Sequence, residues 1–228
     1  MKKFFRVLSV MFFILTLFVT LTSQTTTTTT TTATKTTTKS KTVRVSADYV
    51  EPKSDVIYYK GRIFVNIEED KVSVKTSEMY VRKVNDKWKI VDIPAKAEFS
   101  FDGGSATADK MTYDLDNRTG TMTNANVTVI DTKSNEKILI VADNLNFDLE
   151  NDKYSGTKKG GVNITKGKVT AVADRFEYDK KKGELILVGA VVITDQEKGI
   201  KMTASDATIY TEKNDMKANN VNIELKVE

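Results

Sequence analysis

Between residues 41 and 228 apolar side chains alternate with polar ones at a period of two, the pattern of half-buried strands. Val141, Leu145, Phe147 and Leu149 share one parity, while Ala142, Asn144 and Asn146 share the other. Polar clusters rich in Asn, Asp, Lys and Gly interrupt the alternation at Asp116-Asn117-Arg118-Thr119-Gly120, Asn151-Asp152-Lys153, Lys180-Lys181-Lys182-Gly183 and Lys213-Asn214-Asp215. Such compositions mark hairpin turns. Beyond each turn a second alternating stretch follows: Ala125, Val127 and Val129; Val162 and Ile164; Leu185 to Ile193; Val221, Ile223 and Leu225. The pattern predicts hairpins along the whole stretch and no helix within it.

The hairpins repeat. Thr107-Ala108-Asp109-Lys110-Met111-Thr112-Tyr113-Asp114 returns as Val141-Ala142-Asp143-Asn144-Leu145-Asn146-Phe147-Asp148 and as Val172-Ala173-Asp174-Arg175-Phe176-Glu177-Tyr178-Asp179. Looser copies are Ala204-Ser205-Asp206-Ala207-Thr208-Ile209-Tyr210, Ser46-Ala47-Asp48-Tyr49-Val50 and Thr76-Ser77-Glu78-Met79-Tyr80. The acidic residues at 48, 78, 109, 143, 174 and 206 are 30 to 34 residues apart. A fixed period near 31 residues marks a repeat architecture, here six units over 41–228. The stretch around Trp88, with Asn85-Asp86 between Tyr80–Val84 and Trp88–Val91, reads as an extra, inserted hairpin. Phe99-Ser100-Phe101 is expected to meet Ala106-Thr107-Ala108 across Asp102-Gly103-Gly104-Ser105. Stacked hairpins must bury one face, so the expected fold is all-β: a long antiparallel sheet folded on itself as an open-ended jelly roll or solenoid.

Residues 1–23 read differently. Met1-Lys2-Lys3-Phe4-Phe5-Arg6 precedes an apolar run from Val7 to Leu21, the form of a secretory signal or of an N-terminal membrane anchor. Either fate exports the rest, with the basic end on the cytoplasmic side. Residues 24–40 are almost pure Thr and have nothing to bury, so they read as a disordered linker or tether. Residues 1–40 also carry the excess charge: without Lys2, Lys3, Arg6, Lys35 and Lys39, 30 basic residues face 31 acidic ones. Net charge therefore gives no support to a nucleic-acid partner. The chain has no Cys and no His, which removes disulfides, thiolate sites, and the commonest general base and metal ligand. No enzyme, cofactor or metal is expected.

The phrase Ala173-Asp174-Arg175-Phe176-Glu177-Tyr178-Asp179, continued through Gly183-Glu184-Leu185-Ile186-Leu187-Val188-Gly189-Ala190-Val191-Val192-Ile193, resembles the OstA-like family. That family includes the lipopolysaccharide transport proteins LptA and LptC and the N-terminal domain of LptD. The resemblance spans about residues 43–228. It implies a β-jelly roll open at both ends whose apolar interior holds acyl chains of lipopolysaccharide or a similar envelope lipid. It also implies edge-strand addition to other OstA-like proteins, a periplasmic location, and an LptC-like role if the leader stays in the inner membrane or an LptA-like one if it is cleaved.

Candidate residues follow the alternation. Met111, Tyr113, Val127, Val129, Leu145, Phe147, Val162, Ile164, Phe176, Tyr178, Val191, Ile193 and Tyr210 are expected inside, as plain core or as the lining of a lipid cavity. Tyr113, Phe147, Tyr178 and Tyr210 hold equivalent places in successive units. The Asp residues at 109, 143, 174 and 206 form a ladder and do not converge on one point, so they are expected to accept backbone N–H groups at strand starts. Asp114 to Gly120 imitates a calcium loop but lacks its terminal Glu. Lys158-Lys159 and Lys180 to Lys182 are expected at solvated hairpin tips, with lipid phosphate as the other reading. Asn117, Asn126 and Asn163 begin N-x-T sequons.

Overall fold

A computed structural model describes residues 41–226; the expected leader and Thr-rich linker lie outside the described residues. The described chain forms one antiparallel sheet of sixteen strands. They are β1 (Val43–Ser46), β2 (Tyr49–Pro52), β3 (Val56–Ile67), β4 (Val72–Val84), β5 (Lys87–Ile93), β6 (Ala97–Phe101), β7 (Gly104–Ala108) and β8 (Lys110–Asp114). The order continues with β9 (Thr119–Ile130), β10 (Lys137–Asp148), β11 (Lys153–Lys166), β12 (Val169–Asp179), β13 (Glu184–Asp195), β14 (Ile200–Tyr210), β15 (Asp215–Asn219) and β16 (Asn222–Leu225). A single 3-10 turn, Glu68–Asp70, joins β3 to β4.

Register shows how one sheet makes two layers. The first half of β4 pairs with β6 and the second with β5; β9 divides likewise between β7 and β8, and β14 between β16 and β15. Each long strand therefore crosses from one layer to the other at a bend. Layer one holds β1, β6, β7, β16 and the adjoining strand halves, and layer two holds β2, β5, β8, β15 and theirs. The ladder slips at these bends, between Lys60 and Ile63, Val141 and Asn144, Val172 and Arg175, and Val188 and Val191. Extra residues in a ladder bend the strand and increase its twist, which is what folding a sheet in two requires.

The bends line up as a seam, and the recurring Asp residues sit on it: Asp48 and Asp109 at strand starts, just before β2 and β8, and Asp143 and Asp174 within β10 and β12. Asp48 accepts the Arg62 N–H at 3.0 Å, and Asp143 accepts that of Lys159 at 2.9 Å. Asp109 accepts from Asn124 Nδ2 at 2.8 Å. Facing them on the next strand are residues in the left-handed region: Gly61, Asn124, Gly160, Gly161, Gly189, Ala190 and Asn220. A Cβ on Gly189 would stand 2.2 Å from Asp174 Oδ2, and one on Gly61 would stand 2.6 Å from Asp48 Oδ2. Asp on one strand and a left-handed residue on its neighbour thus form the corners at Asp48, Asp109, Asp143 and Asp174.

Four sequence expectations need correction. Tyr210 is half-exposed, while Ala207 and Ile209 are buried. The reason is that Ser205, not Asp206, occupies the bend: Val188 pairs with Asp206 and Val191 with Ala204. Buried side chains fall two and four residues past each bend, which selects Ile209 and turns Tyr210 outward. The hairpin around Trp88 is no insertion, because β5 and β6 together form a regular member of the ladder, interrupted at Pro94. Lys158 and Lys159 lie on the seam within β11, where the Lys158 ammonium donates to Asp143 at 2.8 Å. Lys180 is at a turn, as expected, but is buried.

Candidate functional site

The space between the layers is the candidate site, and side chains fill its middle. Met111, Tyr113, Val127, Val129, Leu145, Phe147, Val162, Ile164, Phe176, Tyr178, Val191 and Ile193 are all buried there. Rings from opposite layers meet: Phe99 lies 5.5 Å from Phe147 and 6.1 Å from Tyr113, and Phe101 lies 6.2 Å from Tyr154, centroid to centroid. Tyr113 and Phe147 stack at 6.0 Å over Gly120, which pairs with both; a Cβ there would come within 2.4 Å of the Phe147 ring. Fully burying one such large side chain contributes about 1.5–3 kcal/mol.

Opposite the seam the layers end in hairpin turns, and three polar clamps close this mouth. In the first, Lys41 Nζ donates to Asp70 at 2.9 Å and to the Leu115 carbonyl at 3.0 Å, with Arg118 Nε 3.4 Å from Asp70. In the second, Asp131 of layer one is fully buried and accepts from the Tyr178 hydroxyl at 2.5 Å and the Thr211 hydroxyl at 2.7 Å, both in layer two. Its own turn adds N–H bonds from Lys133 and Ser134. Thr132 donates across to the Lys180 carbonyl at 3.0 Å. In the third, Lys166 donates to Asn214 at 2.8 Å and to Glu136 at 2.5 Å.

The electrostatics agree with closure. Burial alone pushes the Asp131 carboxyl up, but the hydrogen bonds from Tyr178, Thr211 and Ser134 outweigh it and hold the group below the usual carboxylate range. Burial, and then Asp131, push the Tyr178 phenol up. Burial pushes Tyr113 up to about 12. Among the described residues, the hydroxyls of Tyr113 and Tyr154 and the Arg118 Nε are buried without a hydrogen-bond partner.

Two concavities stand out among the described residues. A crevice of about 640 Å³ interrupts the mouth between the first two clamps and is lined by Phe101, Arg118, Ile130, Leu149, Asp152 and Lys180 among others. A groove of about 710 Å³ runs over the outer face of layer two, floored by Thr112, Thr121, Asn146 and Ser155, with Ile90 and Ile186 at its ends. The calcium-loop mimic is a closed turn: Asp114 accepts from the backbone N–H groups of Asp116 and Asn117 and from Asn117 Nδ2.

At its two ends the ladder is open. On β16, Ile223 pairs with buried Met202 and therefore faces inward, yet it is 56 % exposed and Leu225 is 64 % exposed. At the other end Val50 on β2, beside partly buried Tyr59, is 52 % exposed. Sequence alternation placed Ile223 and Leu225 in a strand, but it did not show that nothing among the described residues covers them, which depends on where the ladder stops.

No family model matches the chain, and no curated protein matches it in sequence. Eighteen chains of solved structures match. One is LptH of Pseudomonas aeruginosa, described as the LptA homologous periplasmic component of the conserved lipopolysaccharide transport device. It is 8 % identical, and the match covers 82 % of this chain and 96 % of that one at a TM-score of 0.25. At that score the likeness carries no argument about cargo or partners.

Proposed function

We propose that this chain is a non-enzymatic envelope module of the OstA type that joins its neighbours edge to edge and carries lipopolysaccharide-like amphiphiles along its apolar interior, from the inner towards the outer membrane. The leader would export it and the Thr-rich linker would hold it near the inner membrane. One observation carries the reading: among the described residues, both ends of the ladder leave an edge strand unpaired and inward-facing apolar side chains uncovered, at Ile223 and Leu225 and at Val50. Soluble proteins usually blunt such edges, whereas strand addition uses them. Acyl chains would contribute about 0.8 kcal/mol per buried CH₂.

A second reading is favoured by the filled middle and clamped mouth: a structural module that assembles edge to edge and holds no lipid. Native mass spectrometry of the full chain, prepared with envelope lipids present, separates the two. A carrier shows oligomers plus an amphiphile of defined mass, and Ile223→Asp with Leu225→Asp abolishes the oligomers. Oligomers of clean protein mass would move the assignment to the structural module. A monomer without lipid would end both readings.

A further inference from the structure

The amphiphile would need a way past the clamps, and one place in the mouth is built for it. Lys180 is buried, its side chain only 7 % exposed, and its nearest carboxylate is Asp152 at 3.9 Å. Asp152 stands equally far from Lys181, so this counterion is shared. Among the described residues no hydrogen bond from the Lys180 ammonium is formed. The side chain is buried along its length while its ammonium opens on the crevice, where an anionic head would meet it. The ammonium reaches Gly103, whose φ of +74° suits a glycine and where a Cβ would stand 2.7 Å from Nζ. Both residues line the 640 Å³ crevice, whose other wall is apolar: Phe101, Ile130 and Leu149.

The crevice adjoins the aromatic core directly. Phe101 stands against Phe99 at 5.3 Å and against Tyr154, whose buried hydroxyl has no partner. Most of the carboxylates in the wall are engaged: Asp131 in its clamp, Asp102 with Lys71 at 2.8 Å, and Asp152 between two lysines. Glu150 is exposed at the rim. Resting on the carrier reading, we propose that this crevice is the entry site for a single-chain anionic amphiphile. Its phosphate-type head lies on Lys180, and its chain runs over Ile130 and Leu149 towards Phe101. The Asp131–Tyr178–Thr211 clamp beside the crevice then holds the layers together while the chain passes under the edge.

The test uses the full chain and dodecyl phosphate bearing a terminal diazirine, with dodecyl maltoside and inorganic phosphate as separate arms. Photolabelling is expected on Phe101, Ile130 or Leu149. Lys180→Met is expected to weaken dodecyl phosphate about tenfold, the loss of one charge-assisted contact, and to leave dodecyl maltoside unchanged. Should that variant not fold, Ile130→Glu, at a position 38 % exposed, is expected to repel the same ligand. Inorganic phosphate binding as tightly as dodecyl phosphate would overturn the amphiphile and leave a simple phosphate site. Labels confined to Val50, Ile223 and Leu225 would overturn the crevice but leave carriage through the open ends. Failure of both amphiphiles to bind anywhere would overturn the carrier reading itself.

Discussion

The seam and the mouth are the two long margins of this fold, and both join layer one to layer two, but they do so by different chemistry. At the seam the chain itself crosses, strand after strand, and the polar contacts are local: Asp48 to Arg62, Asp109 to Asn124 and Asp143 to Lys159 span 14 to 16 residues. At the mouth no strand crosses, and contacts reach further along the chain: Tyr178 to Asp131 spans 47 residues and Thr211 to Asp131 spans 80. The seam contacts are exposed, whereas those around Asp131 are buried. A buried polar network loses far more when one member is removed, because its partners are stranded away from water. The seam therefore sets the bend through backbone conformation, and the mouth sets closure through side-chain chemistry.

Four substitutions sharpen that contrast in denaturant unfolding. Asp131→Ala is expected to cost most, about 3 kcal/mol, by stranding the Tyr178 hydroxyl and the Ser134 N–H and leaving the Thr211 hydroxyl only the Gly183 carbonyl. Its effect also depends on pH. The folded Asp131 titrates below its unfolded value near 3.8, so its contribution is complete above that value and is lost as pH falls through the folded one. The variant should therefore lose least, relative to the parent, in acid; an equal loss at pH 3 and pH 7 would argue that Asp131 acts by packing alone.

Gly189→Ala tests the seam and should cost about 2 kcal/mol, since φ is +80° and the new Cβ would meet Asp174. Gly160→Ala, at φ +83° with nothing within 4 Å, isolates the backbone part and should cost about 1 kcal/mol. Equal losses at the two positions would mean that the Asp–Gly contact is not what shapes the corner. The smallest effect is a gain. Ala190 holds φ +44° on an exposed bend, and Ala190→Gly should stabilise by about 0.5–1 kcal/mol.

Much of the seam was legible. Alternation placed Met111, Leu145, Phe147 and Phe176 inside, and the 31-residue phrase picked out Asp109, Asp143 and Asp174, expected at strand starts, which the fold uses as corners. A second phase was present but missed: left-handed residues such as Asn124, Gly160, Gly189 and Asn220 recur about 15 residues after each corner. Glycine and asparagine at that offset are the signal of a bend on the returning strand. Tyr210 went astray because Ser205-Asp206 offers two residues able to hold a corner, and a one-residue slip turns every later side chain over. Asp131, Thr211 and the burial of Lys180 had no signature, since none of them belongs to the repeat.

The sequence by itself determined the strands, their period, the turns and, Tyr210 apart, the candidate side chains that face inward. All of these follow from residues near one another and from the two-residue alternation of a pleated chain. Only the tertiary structure decided that the mouth is clamped, that a gap remains beside Lys180, and that the ends stay open. These depend on which turns of the two layers come opposite each other after a dozen crossings, a long-range register that no local pattern encodes.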